Sequence, residues 1–336
     1  MTTLYAALSD RLLVVHGERR SYCAQGTQWD LTERLSGCDL ECVDASPERP
    51  ERVFVGTADS GLHRSHDGGE TWESVGGVTD CVTALTVSPH DPDVLYLGTE
   101  PSGVYRSTDG GVTWDHRDGL TDLPSSSRWS YPPRPQTHRV RWLTVDRTDP
   151  DRLYVAIEAG ALVRSFDSGE SWIDHPDGAR RDTHTLVTHP EAPGRVYAAA
   201  GDGYAESPDG GESWTYPETG LDHGYVWGVA VDAGDPDRVV VSAASGADSA
   251  HRPERAESYV YRRTDGGWEV AMDGLPEPTG TVRAVLAASR ERGGFVALTN
   301  RGLFRTHDYA DSWHRLAVPW QDVYHEQTGR GLVLVP

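Results

Sequence analysis

SHDGGETW (residues 65–72) returns as STDGGVTW (107–114), SFDSGESW (165–172) and SPDGGESW (207–214). Two degenerate copies follow: RTDGGW (263–268), shortened before its tryptophan, and THDYADSW (306–313), with Ala310 in a glycine position. The aspartates fall at 67, 109, 167, 209, 265 and 308, so the spacings are 42, 58, 42, 56 and 43. A fixed self-similar period is the signature of a repeat architecture, and a unit of about 42 residues, twice enlarged by an insertion, fits a four-stranded propeller blade.

Each part of the motif has a mechanical reason. The carboxylates of Asp67, Asp109, Asp167, Asp209, Asp265 and Asp308 can accept bonds from nearby backbone amides and close a turn. The glycines permit positive φ. Trp72, Trp114, Trp172, Trp214 and Trp313 return a large apolar surface to the body of the blade. The motif therefore reads as a stapled hairpin loop, structural rather than catalytic.

These residues resemble the Asp-box, or BNR, repeat family over about residues 40–318. That family includes sialidases, sortilin-type receptors, xyloglucan-degrading hydrolases and a photosystem assembly factor. The resemblance implies an all-β propeller and chooses no function, because the box belongs to the scaffold in all of them.

Each unit reads as strands A to D, with the box joining C to D. The clearest has A at VTALTVS (82–88), B at DVLYLGT (93–99), C at GVYRST (103–108), and D beginning at Val112. The other B strands read RVFVGT, RLYVAI, RVYAAA, RVVVSA and FVALTN, rich in β-branched and aromatic residues. LYAALSDRLLVVH (4–16) aligns with the B–C hairpin LYVAIEAGALVRS (153–165), so the first blade starts at strand B. Its strand A is expected from GLVLV (331–335), which closes a seven-bladed ring and leaves no open sheet edge. The alternative takes LYAAL as strand A and leaves the C-terminal strand as an extra. The whole chain, 1–336, reads as one propeller domain. Insertions near 118–139 and 245–257 decorate the face opposite the boxes, where long functional loops tend to sit.

All 31 basic residues are arginine, against 52 acidic ones, for a formal net charge of −21. An acid-rich, lysine-free surface resembles that of proteins from extreme halophiles. It argues against a general nucleic-acid binder, since phosphates would be repelled. No apolar run is long enough for a membrane-spanning helix. MTTLYAALSDRLLVV meets Asp10 and Arg11 early and does not read as a secretory signal, so a cytoplasmic monomer is expected. Cys23, Cys38, Cys42 and Cys81 form no CxxC pair and read as reduced, mostly buried thiols, Cys38 and Cys42 in or beside a strand, with a metal or redox role as the alternative.

Aligning the A strands gives one column near their starts: Glu41, Thr83, Arg141, His184, Trp227, Arg283 and Arg330. These side chains should converge near the insertion face. Guanidiniums grip carboxylate or phosphate through paired hydrogen bonds, so the column is a candidate anion pocket. The alternative is a channel filled by compensating ion pairs and water. His138, His184, His223 and His325 lie near the same ends and are candidate metal ligands by analogy only; no metal or other cofactor is expected.

Two functions follow. One is a non-catalytic module binding a protein or a small anionic ligand, with Trp129, Tyr131, His251 and Arg252 on the partner face. The other is a sialidase-like glycoside hydrolase, with Glu41 as base and Tyr225 or Tyr324 as nucleophile.

Overall fold

The computed structural model describes residues 2–19, 27–78 and 81–336. Seven antiparallel sheets follow one another along the chain, which is a seven-bladed β-propeller. The innermost strands are Leu40–Ala45, Val82–Val87, Val140–Val145, Thr183–His189, Tyr225–Asp232, Val285–Ala288 and Gly331–Val335. The last belongs to blade 1: it pairs with Thr2–Ala7, from Thr3↔Val335 to Ala7↔Gly331. The chain's end thus supplies strand A of its first blade. Blades 4 and 5 form three-stranded sheets whose fourth strand is reduced to a single bridge, Arg164↔Ile173 and Glu206↔Thr215.

Strand D of blade 3 is Asp115–Arg117, so it does not begin at Val112. Val112 lies in the box loop and is exposed; its amide donates to Asp109 Oδ1, which holds it in the turn rather than in a ladder. Cys42 lies within its strand and Cys38 just before it; Cys38, Cys42 and Cys81 are half-buried rather than buried, and no disulfide joins them. Cys23 lies outside the described residues. Among the described residues no helix is long and apolar enough to cross a membrane.

The box loops close as local networks. Asp109 Oδ1 accepts from Ser107 Oγ at 2.8 Å and Thr113 N at 2.9 Å, and Oδ2 accepts from Thr113 Oγ1 at 2.6 Å. Asp67, Asp167, Asp209 and Asp308 make the corresponding bonds to Thr71, Ser171, Ser213 and Ser312. Asp265 differs. In RTDGGW, Thr264 pairs directly with Gly267, and the turn is held by Thr264 Oγ1, which accepts from Gly266 N. Losing two residues removes the hydroxyl and amide that the carboxylate would otherwise meet. The indoles of Trp172 and Trp313 donate to Asp118 O and Ala271 O on the preceding blade; those of Trp72 and Trp214 donate within their own loops. Trp114 packs against the core between blades 2 and 3.

Between blades, the core is an aromatic column. Tyr5, Phe54, Tyr96, Tyr154 and Tyr197 stand at one register on the second strands and are essentially inaccessible. Tyr5 donates its hydroxyl to Gly68 O in the box of blade 2 at 3.0 Å. Burying each ring stabilises by about 2–3 kcal/mol, which makes the seams, rather than the short sheets alone, hold the ring together.

Candidate functional site

The aligned column coincides with a recurring backbone irregularity. Pairing of the innermost strand slips between Leu40/Cys42, Val82/Ala84, Val140/Trp142, Thr183/Thr185 and Val226/Gly228. The residue skipped in each case is Glu41, Thr83, Arg141, His184 or Trp227. A β-bulge leaves its extra residue unpaired and re-aims that side chain. Arg283 and Arg330 stand immediately before or near the start of the last two inner strands.

Most of these side chains meet across blades. The Arg283 guanidinium carbon lies 3.8 Å from the Trp227 ring centroid, and that of Arg141 lies 4.5 Å from it. His184 packs on the same indole at 4.4 Å. Glu41 accepts from Arg139 at 3.3 Å and lies 3.8 Å from Arg330; Arg139 also pairs with Glu158 at 2.7 Å. Thr83 does not join them: its hydroxyl donates to Val140 O at 2.7 Å and ties blade 3 to blade 4.

The charge is unevenly satisfied. Arg283 is 1% exposed, and Nη1 and Nη2 are buried without a hydrogen-bond partner. Burial, reinforced by Arg141 and Arg330, pushes its pKa well down. Burial likewise lowers Arg141. Arg139 goes the other way: burial opposes its charge, but Glu158 and Glu41 raise its pKa. The centre therefore holds guanidinium groups whose positive charge the protein itself leaves partly unanswered.

His251 belongs to this centre. The helix Ala247–His251 opens the blade 6 insertion and is latched to blade 7, where Arg283 N donates to Ala250 O at 2.9 Å. Arg283 Nε donates to His251 Nδ1 at 3.2 Å, and Tyr225 Oη lies 3.0 Å from His251 Nε2. Since Nδ1 accepts, Nε2 carries the proton and donates to Tyr225. Burial and the Arg283 charge lower the His251 pKa and keep the ring neutral. The Tyr225 hydroxyl is left with its own proton to donate.

The other candidates disperse. Tyr324 donates to Glu33 Oε1 on the outer strand of blade 1 and takes no place around Trp227. Trp129 is buried, with its indole on Ser125 Oγ, so it is core of the first insertion and offers no ring to a partner. Tyr131 lies under Arg139 at 4.1 Å. Arg252 is exposed and pairs with Asp248. His138 packs on Trp129, and His223 stacks on Tyr259 at 4.2 Å. The His325 carbonyl accepts from Asn300 at 2.9 Å. Among the described residues no three His, Cys, Asp or Glu side chains gather as a metal site, so the four histidines do not form one.

Sequence reasoning missed Arg139, Glu158 and Asp182, whose carboxylate lies 3.5 Å from His184 Nε2, as members of the site. The Arg-Val-Arg run at 139–141 carried a period-2 hint for Arg139. His251 is expected on the partner face; it sits in a B–C loop, whose reach to Arg283 and Tyr225 no strand register predicts.

No family model and no curated protein matches the chain. Several solved structures do. An ancestral GH74 enzyme superposes with a TM-score of 0.62 at 17% identity, over 79% of this chain and 36% of that one. The Niastella koreensis GH74 enzyme gives 0.62 at 19% identity, over 82% and 46%. The chain thus spans less than half the length of either enzyme. YCF48 bound to D1 peptide gives 0.58 at 16% identity, over 89% of this chain and 94% of that one. At such identities the likeness is one of fold: this chain is a seven-bladed β-propeller similar to the GH74 and YCF48 propellers.

Proposed function

We propose that this chain is a non-catalytic binding propeller whose insertion-face channel takes a carboxylate, carried by a small acid or by a partner protein. The observation that carries this reading is Arg283, whose two terminal nitrogens are buried and unpartnered. An unpaired buried charge is expensive, and an anion placed between Arg283 and Arg141 would answer it. The Tyr225 hydroxyl would add a third donor. The YCF48 structure with a bound peptide lends support to a peptide partner.

The hydrolase reading has support too, in the GH74 likeness and in a tyrosine beside arginines. It is the weaker one. A nucleophilic phenol needs a lowered pKa or an adjacent base. Burial, with Asp182 nearby, pushes the Tyr225 pKa up, and its histidine neighbour donates to it rather than accepting.

Thermal denaturation in concentrated salt with citrate, acetate and a peptide with a free C-terminus tests the proposal. At least one should stabilise the native chain and leave Arg283→Gln unmoved. Turnover of fluorogenic glycosides that disappears in Glu41→Gln would overturn it.

A further inference from the structure

A cavity of ≈ 200 Å³ opens at the seam between blades 6 and 7, on the box side of the ring and apart from the arginine column. Arg238, Val240, Arg262, Phe295, Tyr309 and Asp311 line it. The chain's own repeats show what normally fills this space. Facing the third strand, Tyr5↔Val14, Phe54↔Arg64, Tyr96↔Arg106, Tyr154↔Arg164 and Tyr197↔Glu206 share one register. Blade 6 has Val240↔Arg262 at that register, and blade 7 has Val296↔Arg305.

At the seams that follow blades 1 and 2 the ring lies against the box of the next blade. A Cβ on Gly69 would stand 3.2 Å from the Tyr5 ring, and one on Gly111 would stand 2.8 Å from that of Phe54. At the seam from blade 7 to blade 1, Trp29 packs against the cluster that holds Val296, with Arg305 over its ring at 5.6 Å. At the seam from blade 6 to blade 7, among the described residues, no side chain replaces the missing ring, and the cavity remains.

The rest of the socket is intact. Arg52 and Arg195, two residues before Phe54 and Tyr197, hold their guanidiniums 6.0 Å and 4.9 Å from those rings. Arg238 stands two residues before Val240 and has turned to Tyr309 at 5.5 Å. The carbonyl that Tyr5 uses as acceptor also has its counterpart here, while Tyr154 and Tyr197 donate elsewhere, to Asp146 Oδ2 and Pro236 O. Gly68, whose carbonyl receives the Tyr5 hydroxyl, donates its amide to Glu51 O, and Tyr309 donates its amide to Gly293 O in the matching turn. An apolar cavity of about 150 Å³ accommodates a benzene ring; this one is larger and its wall is mixed, with Arg238, Arg262 and Asp311 beside Val240 and Phe295, so it has room for one ring that carries a polar group.

We propose that this vacated tyrosine socket is a binding site for a small phenol. The ring lies against Val240 and Phe295, the Arg238 guanidinium covers its face, and the hydroxyl donates to the Tyr309 carbonyl. The site is independent of the channel.

p-Cresol, the side chain of tyrosine itself, is the probe, titrated into the full chain by calorimetry and followed by its own NMR line broadening. One saturable equivalent is expected, with toluene, which lacks the hydroxyl, about tenfold weaker. Val240→Tyr and Val240→Phe should fill the socket, raise Tm and abolish p-cresol binding. Arg283→Gln should leave p-cresol binding unchanged, which separates this site from the channel. Absence of saturable p-cresol binding to the native chain overturns the proposal. So does binding that persists in a folded Val240→Phe chain, the variant to use if Val240→Tyr does not fold.

Discussion

The guanidinium of Arg283 lies over the indole of Trp227, 3.8 Å from its centroid, with both terminal nitrogens buried and unpartnered. A desolvated guanidinium over a tryptophan gains about 2 kcal/mol. That does not repay the loss of water around a full charge, for which the effective penalty is several kcal/mol. Arg141 on the same indole adds like charge. The guanidinium of Arg283 is thus incompletely compensated within the fold, which is what the proposed anion site requires.

Removing that charge should therefore stabilise the empty protein. Arg283→Met keeps much of the apolar contact with Trp227 but removes the donor to His251 Nδ1, so the free energy of unfolding is expected to rise by no more than about 1 kcal/mol. Urea denaturation with and without citrate reads both halves of the expectation: higher stability, and no further gain from the anion. A loss of stability in the absence of any anion would mean that the guanidinium is already answered within the fold.

Glu41 sits between Arg139 and Arg330 as an internal carboxylate. Glu41→Gln leaves both arginines hydrogen-bonding capacity but removes a charge that competes with a ligand. Stability should fall by about 1–3 kcal/mol, because Arg139 then relies on Glu158 alone. Anion affinity should rise, by about tenfold for a difference of about 1.4 kcal/mol. Calorimetry decides: weaker binding in Glu41→Gln would show that the carboxylate orients the arginines rather than competing with the ligand.

The legible part of this protein was whatever repeats. The boxes set the blade period, and LYAAL against LYVAI placed the first hairpin and hence the closing strand. The column was legible because the bulge recurs at the same place in blades 2 to 6, so aligned residues stay aligned although the ladder slips. What departs from the repeat was not legible. Trp129 looked like an exposed anchor because it lies in an insertion, and its burial depends on Ser125 and His138, which no periodicity links to it. His251 reaches Arg283 and Tyr225 through a helix whose position is set by blade 7. Asp265 kept the motif's letters and lost its bonds, since the shortened loop ends before the carboxylate's partners.

The contrast between true and degenerate boxes is measurable. Asp109→Ala removes bonds to Ser107 and Thr113 and should destabilise by about 1 kcal/mol, the scale of losing a comparable side-chain cap. Asp265→Ala should stay within about 0.5 kcal/mol of the native chain, as exposed substitutions away from specific contacts do. Urea midpoints of the two variants, measured side by side, test it; equal losses would contradict the different turn seen in blade 6.

The same loops set an acid limit. Hydrogen bonds from Thr71, Thr113 and Ser213 pull the carboxyls of Asp67, Asp109 and Asp209 from the ordinary 3.8 down to about 2. A folded-state pKa below the unfolded one means that the unfolded chain binds more protons between the two values. The stability these groups contribute is therefore present above about pH 4 and is lost as pH falls toward about 2. All three are exposed, so each contributes modestly, and salt leaves a short-range hydrogen bond largely intact. Denaturation midpoints followed from pH 5 downward should fall across that window, and the fall should be shallower in Asp209→Asn, which no longer titrates there. An unchanged slope would place the acid sensitivity elsewhere.

The closing strand gives the last test. Deleting residues 331–335 removes the partner of Thr3–Ala7 and uncovers Leu4 and Ala6, which pack with Leu332 in one cluster. An uncovered strand edge is a template for pairing with another chain. If the ring depends on this closure, the truncated chain should lose its single cooperative thermal transition and associate. Scattering and a calorimetric scan read both. A second variant, Leu332→Asp, leaves the backbone ladder available while placing a charge in the cluster, and should lower Tm without driving association. A truncated chain that stays monomeric with an unchanged Tm would show that the blades cohere through the aromatic seams alone, and that the C-terminal strand only covers a ring that is already closed.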